Sequence, residues 1–412
     1  LFYPVHSFID MLLKAHRTRE GSNPGLIGVV AEEETLADVV ENINLAKHLQ
    51  AADGISGALM APHELELENG RVCWKGQPVS VIFMDFNTDV LLNLHRKHDL
   101  SQLYQAIREN RILNPRGTEP INVKSMFEVI TGDHAHRFDP ETVQRTPWTR
   151  RFFPRRTTGP NGESIPDLVE WARQNWPDLV LKPERGYSGI GVKVGGVDND
   201  ADAAIAQALE KGNYILQAKV TLGLWAEEMA EIDHAARRIV LARRQTDFRC
   251  LVGPDRVFGF LCRFGDVPTN VGSGGGVQPL TVLKSDMTVK EAVDRINDVI
   301  MGIDYADLAE VEALQQSLAL QEKFTYLLGP IKIALRPRII TLRQLEDLKT
   351  YCRAMWDDSI KLEQMWHAGE LDDYIDIEEE ELEIARLQPW HGGPAIFAAD
   401  GLFGFGAQLE EP

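Results

Sequence analysis

The sequence predicts an α/β layer, then an α+β region of mostly antiparallel strands, then a helical end. Three observations carry this. Apolar runs at 26–30 and 55–60 flank an amphipathic stretch, the strand–helix–strand order of a small α/β layer. From about 114 to 283, short apolar runs are joined mainly by short turns such as Gly253-Pro254-Asp255. Beyond Thr288 the apolar residues recur at helical spacing.

In order, 26–30 reads as a buried strand and 35–52 as a helix. In that helix Leu36, Val39, Val40, Ile43 and Ala46 share a face, and Thr35 with Asp38 resembles a capping box. A strand at 55–60, a hairpin through Glu68-Asn69-Gly70-Arg71 and a strand at 79–83 follow, and helical stretches near 88–110 close the layer. The middle region holds a helix opened by Lys124, an arginine-rich arm, a helix at 166–175 and a strand delivering Lys182. Strand-like runs at 214–217, 239–241, 248–252 and 257–264 complete it. In the last region Thr288 and Glu291 cap a helix with Val289, Ala292, Val293, Ile296 and Ile300 on one face. A second helix spans 342–367, and the glycine-rich tail 392–406 reads as ordered loop. These regions divide the chain at 1–112, 113–285 and 286–412.

At 412 residues the chain is long enough for two or three cores. Its 44% apolar and 25% charged residues are those of a globular protein, and no apolar run reaches the ~18 residues of a membrane span. The sequence opens without Met, which suggests trimming. Cys73, Cys250, Cys262 and Cys352 are scattered without metal-ligand spacing, which points to buried thiols in a reducing compartment, the cytoplasm. A net charge of −19 argues against nucleic-acid binding. The acidic run 370–383 reads as a solvated helix end or loop. Against this background arginines cluster at Arg145, Arg150, Arg151, Arg155 and Arg156, and again at Arg237, Arg238, Arg243, Arg244 and Arg249. Salt bridging to the acidic excess accounts for most of them.

The chemistry concentrates at 179–192. A short apolar strand ends on Lys182, and a loop with Gly186, Tyr187, Ser188, Gly189 and Gly191 leads back into extended chain. Glycines bring bare N–H groups against phosphate oxygens, and lysine adds a mobile point charge. The spacing is that of neither a P-loop nor a dinucleotide fingerprint. Lys124, from a different element, grips the same anion from the other side. The strand end Gln217-Ala218-Lys219-Val220 offers backbone groups to an adenine edge. Asp247 and Arg249 share a strand face by period-two alternation, as suits a metal and a transferring phosphoryl group. Asp266 and Asn270, two hard oxygen ligands, precede the glycine run 272–276, which suggests backbone packed against a ligand. His6, His63, His134, His136 and His391 stand alone and receive no role.

Lys124, Val180-Leu181-Lys182-Pro183 with the glycine loop, and Asn270-Val271-Gly272-Ser273-Gly274-Gly275-Gly276 together resemble the ATP-grasp superfamily. Leu113-Asn114-Pro115 and Pro147-Trp148-Thr149-Arg150 bring the likeness closest to circularly permuted type 2 ATP-grasp proteins, relatives of the glutathionylspermidine synthases. The resemblance covers about 113–283. It implies an ATP-grasp fold behind a pre-ATP-grasp layer, with ATP and Mg²⁺ as cofactors. Lys124 and Lys182 would meet the phosphates, 186–191 would form a flap, and Gln217, Ala218, Lys219 and Val220 would hold adenine. Asp247 and Asn270 would ligate Mg²⁺. Arg249 would stabilise the transferring group, with Arg150, Gly274 and Gly275 toward the substrate. Two residues depart from the pattern. Pro268 stands where a metal-binding Glu is common, leaving Asp266, or a carboxylate from elsewhere in the chain, to substitute. Ala218 stands where an acidic residue often follows, leaving Glu227 or Glu228 for the ribose. The implied activity is ADP-forming amide-bond formation between a small-molecule carboxylate and an amine through an acyl phosphate. A catalytically weak ATP-grasp-like scaffold and a small-molecule kinase are the alternatives.

Overall fold

The computed structural model describes residues 4–49, 54–186, 189–197, 200–220, 226–253, 256–266, 269, 274–321 and 332–393. The first part contains α1 (Pro4–Glu20), β1 (Gly25–Val30), α2 (Val40–His48), β2 (Ile55–Met60), β3 (Leu65–Glu68), β4 (Arg71–Trp74), β5 (Gln77–Met84), α3 (Thr88–His95) and α4 (Ser101–Arg108). Its sheet runs β2-β1-β5-β4-β3, with β1 parallel to both neighbours. Side chains alternate across β1. Ile27 and Val29 pack with Leu12, Leu45 and Leu49 of α1 and the α2 turn, whereas Leu26 and Val30 pack with Leu91 and Leu103 of α3 and α4. Both sheet faces are covered, as a buried parallel pair requires. The α2 helix starts five residues later than its periodicity suggested. The Thr35 hydroxyl donates to Glu32 O at 2.9 Å, a local turn that competes with capping, so no box forms with Asp38.

The middle part contains α5 (Met126–Thr131), α6 (Pro140–Arg145), β6 (Thr149–Arg151), β7 (Thr157–Thr158), β8 (Ser164–Ile165), α7 (Leu168–Gln174), β9 (Leu179–Pro183), β10 (Lys193–Val194), α8 (Ala201–Lys211) and β11 (Tyr214–Ala218). It continues with β12 (Glu227–Asp233), β13 (Arg238–Val252), β14 (Val257–Gly265), β15 (Gly276–Gln278) and β16 (Leu280–Leu283). Two four-stranded antiparallel sheets result, β10-β9-β11-β6 and β12-β13-β14-β15. The runs at 239–241 and 248–252 belong to one 15-residue strand. Its arginine-rich centre broke the apolar pattern without breaking the ladder.

The last part contains α9 (Val289–Met301), α10 (Tyr305–Gln321), β17 (Arg338–Thr341), α11 (Leu342–His367) and α12 (Glu379–Leu387). The expected Thr288 box and the 342–367 helix are both present, the latter capped by Thr341. The region is not purely helical, because β17 pairs in parallel with β16. Trp356, Leu362, Met365 and Trp366 of α11 share a core with Ile121, Val123, Met126 and Ile130. All four cysteines are free thiols, three of them buried. Among the described residues no helix is long and apolar enough to cross a membrane. Most of the tail, 394–412, lies outside the described residues.

Candidate functional site

Alternation in the β10-β9-β11-β6 sheet decides what faces where. Leu179, Leu181, Tyr214 and Leu216 point into the core made with α7 and α8. Lys182 therefore points to the opposite face. There Ile215 lies opposite both Lys182 and Arg151, and Gln217 lies opposite Val180 and Thr149. The Lys182 ammonium donates to Gln217 Oε1 at 2.7 Å. Gln217 Nε2 donates to Thr149 Oγ1 at 2.8 Å, and that hydroxyl donates to Pro147 O at 2.9 Å. Gln217 is buried, so the chain of bonds is braced from below.

Lys124 arrives from just before α5. Its N–H donates to Glu184 O at 3.1 Å and its Nζ to Gly186 O at 2.8 Å, which seats it at the loop root. Burial, and then the charge of Lys124, pull the Lys182 ammonium down to about 8 from its ordinary value. Two mutually repelling cations, one ending on a neutral amide, form a site whose charge an anion relieves. Gly186, Gly189 and Gly191 all have positive φ, at 117°, 76° and 77°. The loop is thus in a conformation that glycine takes readily and other residues resist. At Gly191 a Cβ would also stand 2.8 Å from Tyr214 Oη, whose hydroxyl donates to Gly191 O. Chain on the far side returns antiparallel, Lys193 opposite Leu181, giving the expected strand–loop–strand. Tyr187 and Ser188 lie outside the described residues.

At the proposed adenine edge, the Ala218 and Lys219 amides donate to Trp148 O and Asp178 O, each at 2.8 Å. The Lys219 ammonium bonds Pro177 O and Gly195 O. These contacts hold the strand end in place but occupy two amide donors that a base edge would have used. Val220 lies just beyond the end of β11. Of the two ribose candidates, Glu227 is bound to Arg336 at 2.7 Å and Arg338 at 3.0 Å, whereas Glu228 is exposed.

On the second sheet Asp247 and Arg249 share a face, and the register adds Arg263 opposite Asp247. The Asp247 carboxylate accepts from Arg263 Nε at 2.9 Å and Nη2 at 2.7 Å, and from the Thr269 hydroxyl. Burial, then Arg263, lower the Arg249 pKa against the opposing pull of Asp247. Asp266 is elsewhere. It pairs with Arg244 at 2.7 Å, and Arg244 is held by Glu231 from the other face of β13. Asp266, just past the end of β14, and Asp247 thus each have an arginine of their own, Arg244 and Arg263. Asn270 and Pro268 lie outside the described residues. Among the described residues no group of three His, Cys, Asp or Glu is placed to hold a metal. Within the described residues the Asp247 carboxylate is taken up by Arg263 and Thr269.

Three residues were expected toward the substrate. Arg150 is buried over the Trp148 ring and gives its donors to Thr131 O, Thr149 O, Thr157 Oγ1 and Thr158 O. The structure makes it a brace for the 131–158 corner. Gly275 packs its Cα 3.1 Å from where a Gly265 Cβ would stand, and Gly274 has φ 90° in open space. Several arginines of the first cluster are salt-bridged, Arg145 to Asp347, Arg151 to Glu184 and Arg155 to Glu128. Sequence reasoning gave Thr149, Arg151, Glu184 and Arg263 no role at this site. Alternation would have put Thr149 and Arg151 on one face, but only the register shows that this face is that of Lys182. Val252, at the end of β13, shares a core with Val123, so the second sheet reaches the segment carrying Lys124.

No family model and no curated protein matches the chain. Solved structures to which it is similar include D-alanyl-alanine synthetase A from Vibrio cholerae, at 11% identity and TM-score 0.32, over 54% of this chain and 67% of that one. An ATP-grasp RimK domain protein from Sphaerobacter thermophilus shares 15% identity with TM-score 0.28, over 52% and 70%. D-Cycloserine synthetase DcsG shares 12% with TM-score 0.26, over 54% and 68%. At these scores the likeness carries no inference about function.

Proposed function

We propose that the protein is an ATP-dependent ligase of the ATP-grasp kind that joins a small-molecule carboxylate to an amine. The observation that carries this is the convergence of Lys124 and Lys182 on the root of a positive-φ glycine loop, with Lys182 depressed to about 8. Such a site suits a polyphosphate: two cations from different elements, and backbone able to approach an anion closely.

In this reading the 113–285 region is the nucleotide-binding part, between an N-terminal region 1–112 and a C-terminal region 286–412. Lys124 and Lys182 hold the phosphates, and Gln217 and Thr149 orient Lys182. Arg249 faces charge that builds up as a substrate carboxylate attacks the terminal phosphate, and an amine then displaces phosphate to form the amide. No protein nucleophile is required. The chain's contribution is positioning and exclusion of water. To hold a Mg²⁺ ion, Asp247 would have to leave Arg263.

That same Asp247–Arg263 pair favours a second reading, a nucleotide-binding scaffold with little turnover. Incubation with ATP, Mg²⁺ and paired amino acids, followed by phosphate release and mass analysis, separates the readings. Amide product with stoichiometric phosphate supports the ligase. ATP binding without turnover supports the scaffold, and a stable phosphate ester would mark a kinase.

A further inference from the structure

The acidic run 370–383 contains one glutamate that behaves unlike its neighbours. Glu379 and Glu380 are exposed, whereas Glu381 is 4% exposed. Its carboxylate accepts from both terminal nitrogens of Arg185, at 3.0 and 2.8 Å, and Asp89 of α3 lies 3.9 Å from the same guanidinium. The α12 helix that carries Glu381 is anchored independently. Ile384 packs into the first core, while Leu382 and Ala385 pack into the core of α11. Just beyond α12, Gln388 donates to Asn110 Oδ1 at 2.8 Å and Ile112 O at 2.7 Å, and its carbonyl accepts the Gly117 N–H at 2.9 Å. Arg185 itself stands between Glu184, whose carbonyl accepts the Lys124 N–H, and Gly186, whose carbonyl accepts the Lys124 ammonium.

We propose that Glu381 is a positioning residue for the phosphate site: through Arg185 it fixes the segment to which Lys124 is hydrogen-bonded. The inference rests on the ATP-site reading above. It makes α12 part of the nucleotide site although Glu381 acts only through Arg185. Buried ion pairs contribute little net stability over an apolar contact of the same size, so stability alone gives no reason for this pair. What a two-point Arg–carboxylate contact supplies is orientation. The orientation fixed here is that of the backbone beneath the two lysines.

The test titrates ATP by calorimetry against wild type, Lys182→Ala, Glu381→Gln, and the double variant Arg185→Gln with Glu381→Gln. The double variant removes both members of the buried pair and leaves only the half-exposed Asp89 without its guanidinium, so it avoids the buried unpaired charge of the single variant. The expected result is an ATP Kd raised about tenfold in the Glu381 variants, with faster amide exchange in 184–191. Where turnover is measurable, KM for ATP should rise while kcat changes less than threefold. Unchanged Kd in a folded Glu381 variant, with Lys182→Ala still impaired, overturns this inference and leaves the ATP site standing. Wild type that binds no ATP overturns both.

Discussion

Lys182 Nζ and Gln217 Oε1 meet at 2.7 Å across a diagonal of the β9–β11 ladder, since Lys182 lies opposite Ile215 and Gln217 opposite Val180. A diagonal pair of long side chains can bond on a pleated face. A lysine ending on a neutral amide keeps its full positive charge available to a ligand, and a half-buried one does so under strain.

That strain sets a pH dependence. Lys182 is held at about 8 when folded, against 10.5 for the ordinary side chain. Between these values the unfolded chain binds a proton that the folded chain does not. Lys182 therefore costs stability below pH 8, and the cost is relieved as pH rises from 8 to 10.5. Nucleotide binding runs the other way, because the anion needs the ammonium. ATP affinity is expected to fall above pH 8, and binding at pH 8.5 should take up a proton. Calorimetry in two buffers of different ionisation heat measures that uptake, which Lys182→Met should abolish. Equal heats for wild type in both buffers would count against it.

The loop glycines should separate by mechanism. Gly189→Ala meets only its positive φ and should cost about 1–2 kcal/mol. Gly191→Ala also forces its methyl against Tyr214 Oη and Pro183, so it should cost more and weaken ATP binding further. Denaturant unfolding of the pair checks the order.

Asp247→Asn is expected to lower both turnover and stability, because it leaves Arg263 and Arg249 facing each other without their carboxylate. Loss of hydrogen bonds to a charged partner suggests about 2 kcal/mol. Thermal and denaturant unfolding measure it. A neutral effect on stability would mean that Arg263 finds another partner.

Arg249→Lys should lower kcat on the order of 10²–10³-fold while changing the KM for ATP little, since lysine lacks the planar fork. Steady-state kinetics with a competent substrate pair decide this. A change confined to the KM would make Arg249 a ground-state anchor.

Much of this site was legible because strands repeat with period two. The face shared by Asp247 and Arg249, and the strand that presents Lys182, follow from alternation alone. What alternation cannot show is register. Arg263 stands 16 residues beyond Asp247 along the chain, and only the β13–β14 pairing puts it there. Glu378, Glu379, Glu380 and Glu381 look identical in sequence. Glu381 is distinguished by Arg185, 196 residues away. The close approach of Gly265 to Gly275, where a Gly265 Cβ would stand 3.1 Å from the Gly275 Cα, is likewise invisible in the sequence. Thr35 shows the local limit, where a hydroxyl turn to Glu32 O won over helix capping.

The central claim is that Lys182 and Lys124 form a nucleotide-phosphate site, and a calorimetric titration of wild type and Lys182→Ala with ATP tests it most directly. Saturable binding by wild type is expected, with a Kd at least tenfold higher, about 1.4 kcal/mol, for a Lys182→Ala protein of unchanged fold. Equal affinity in the two proteins would contradict it.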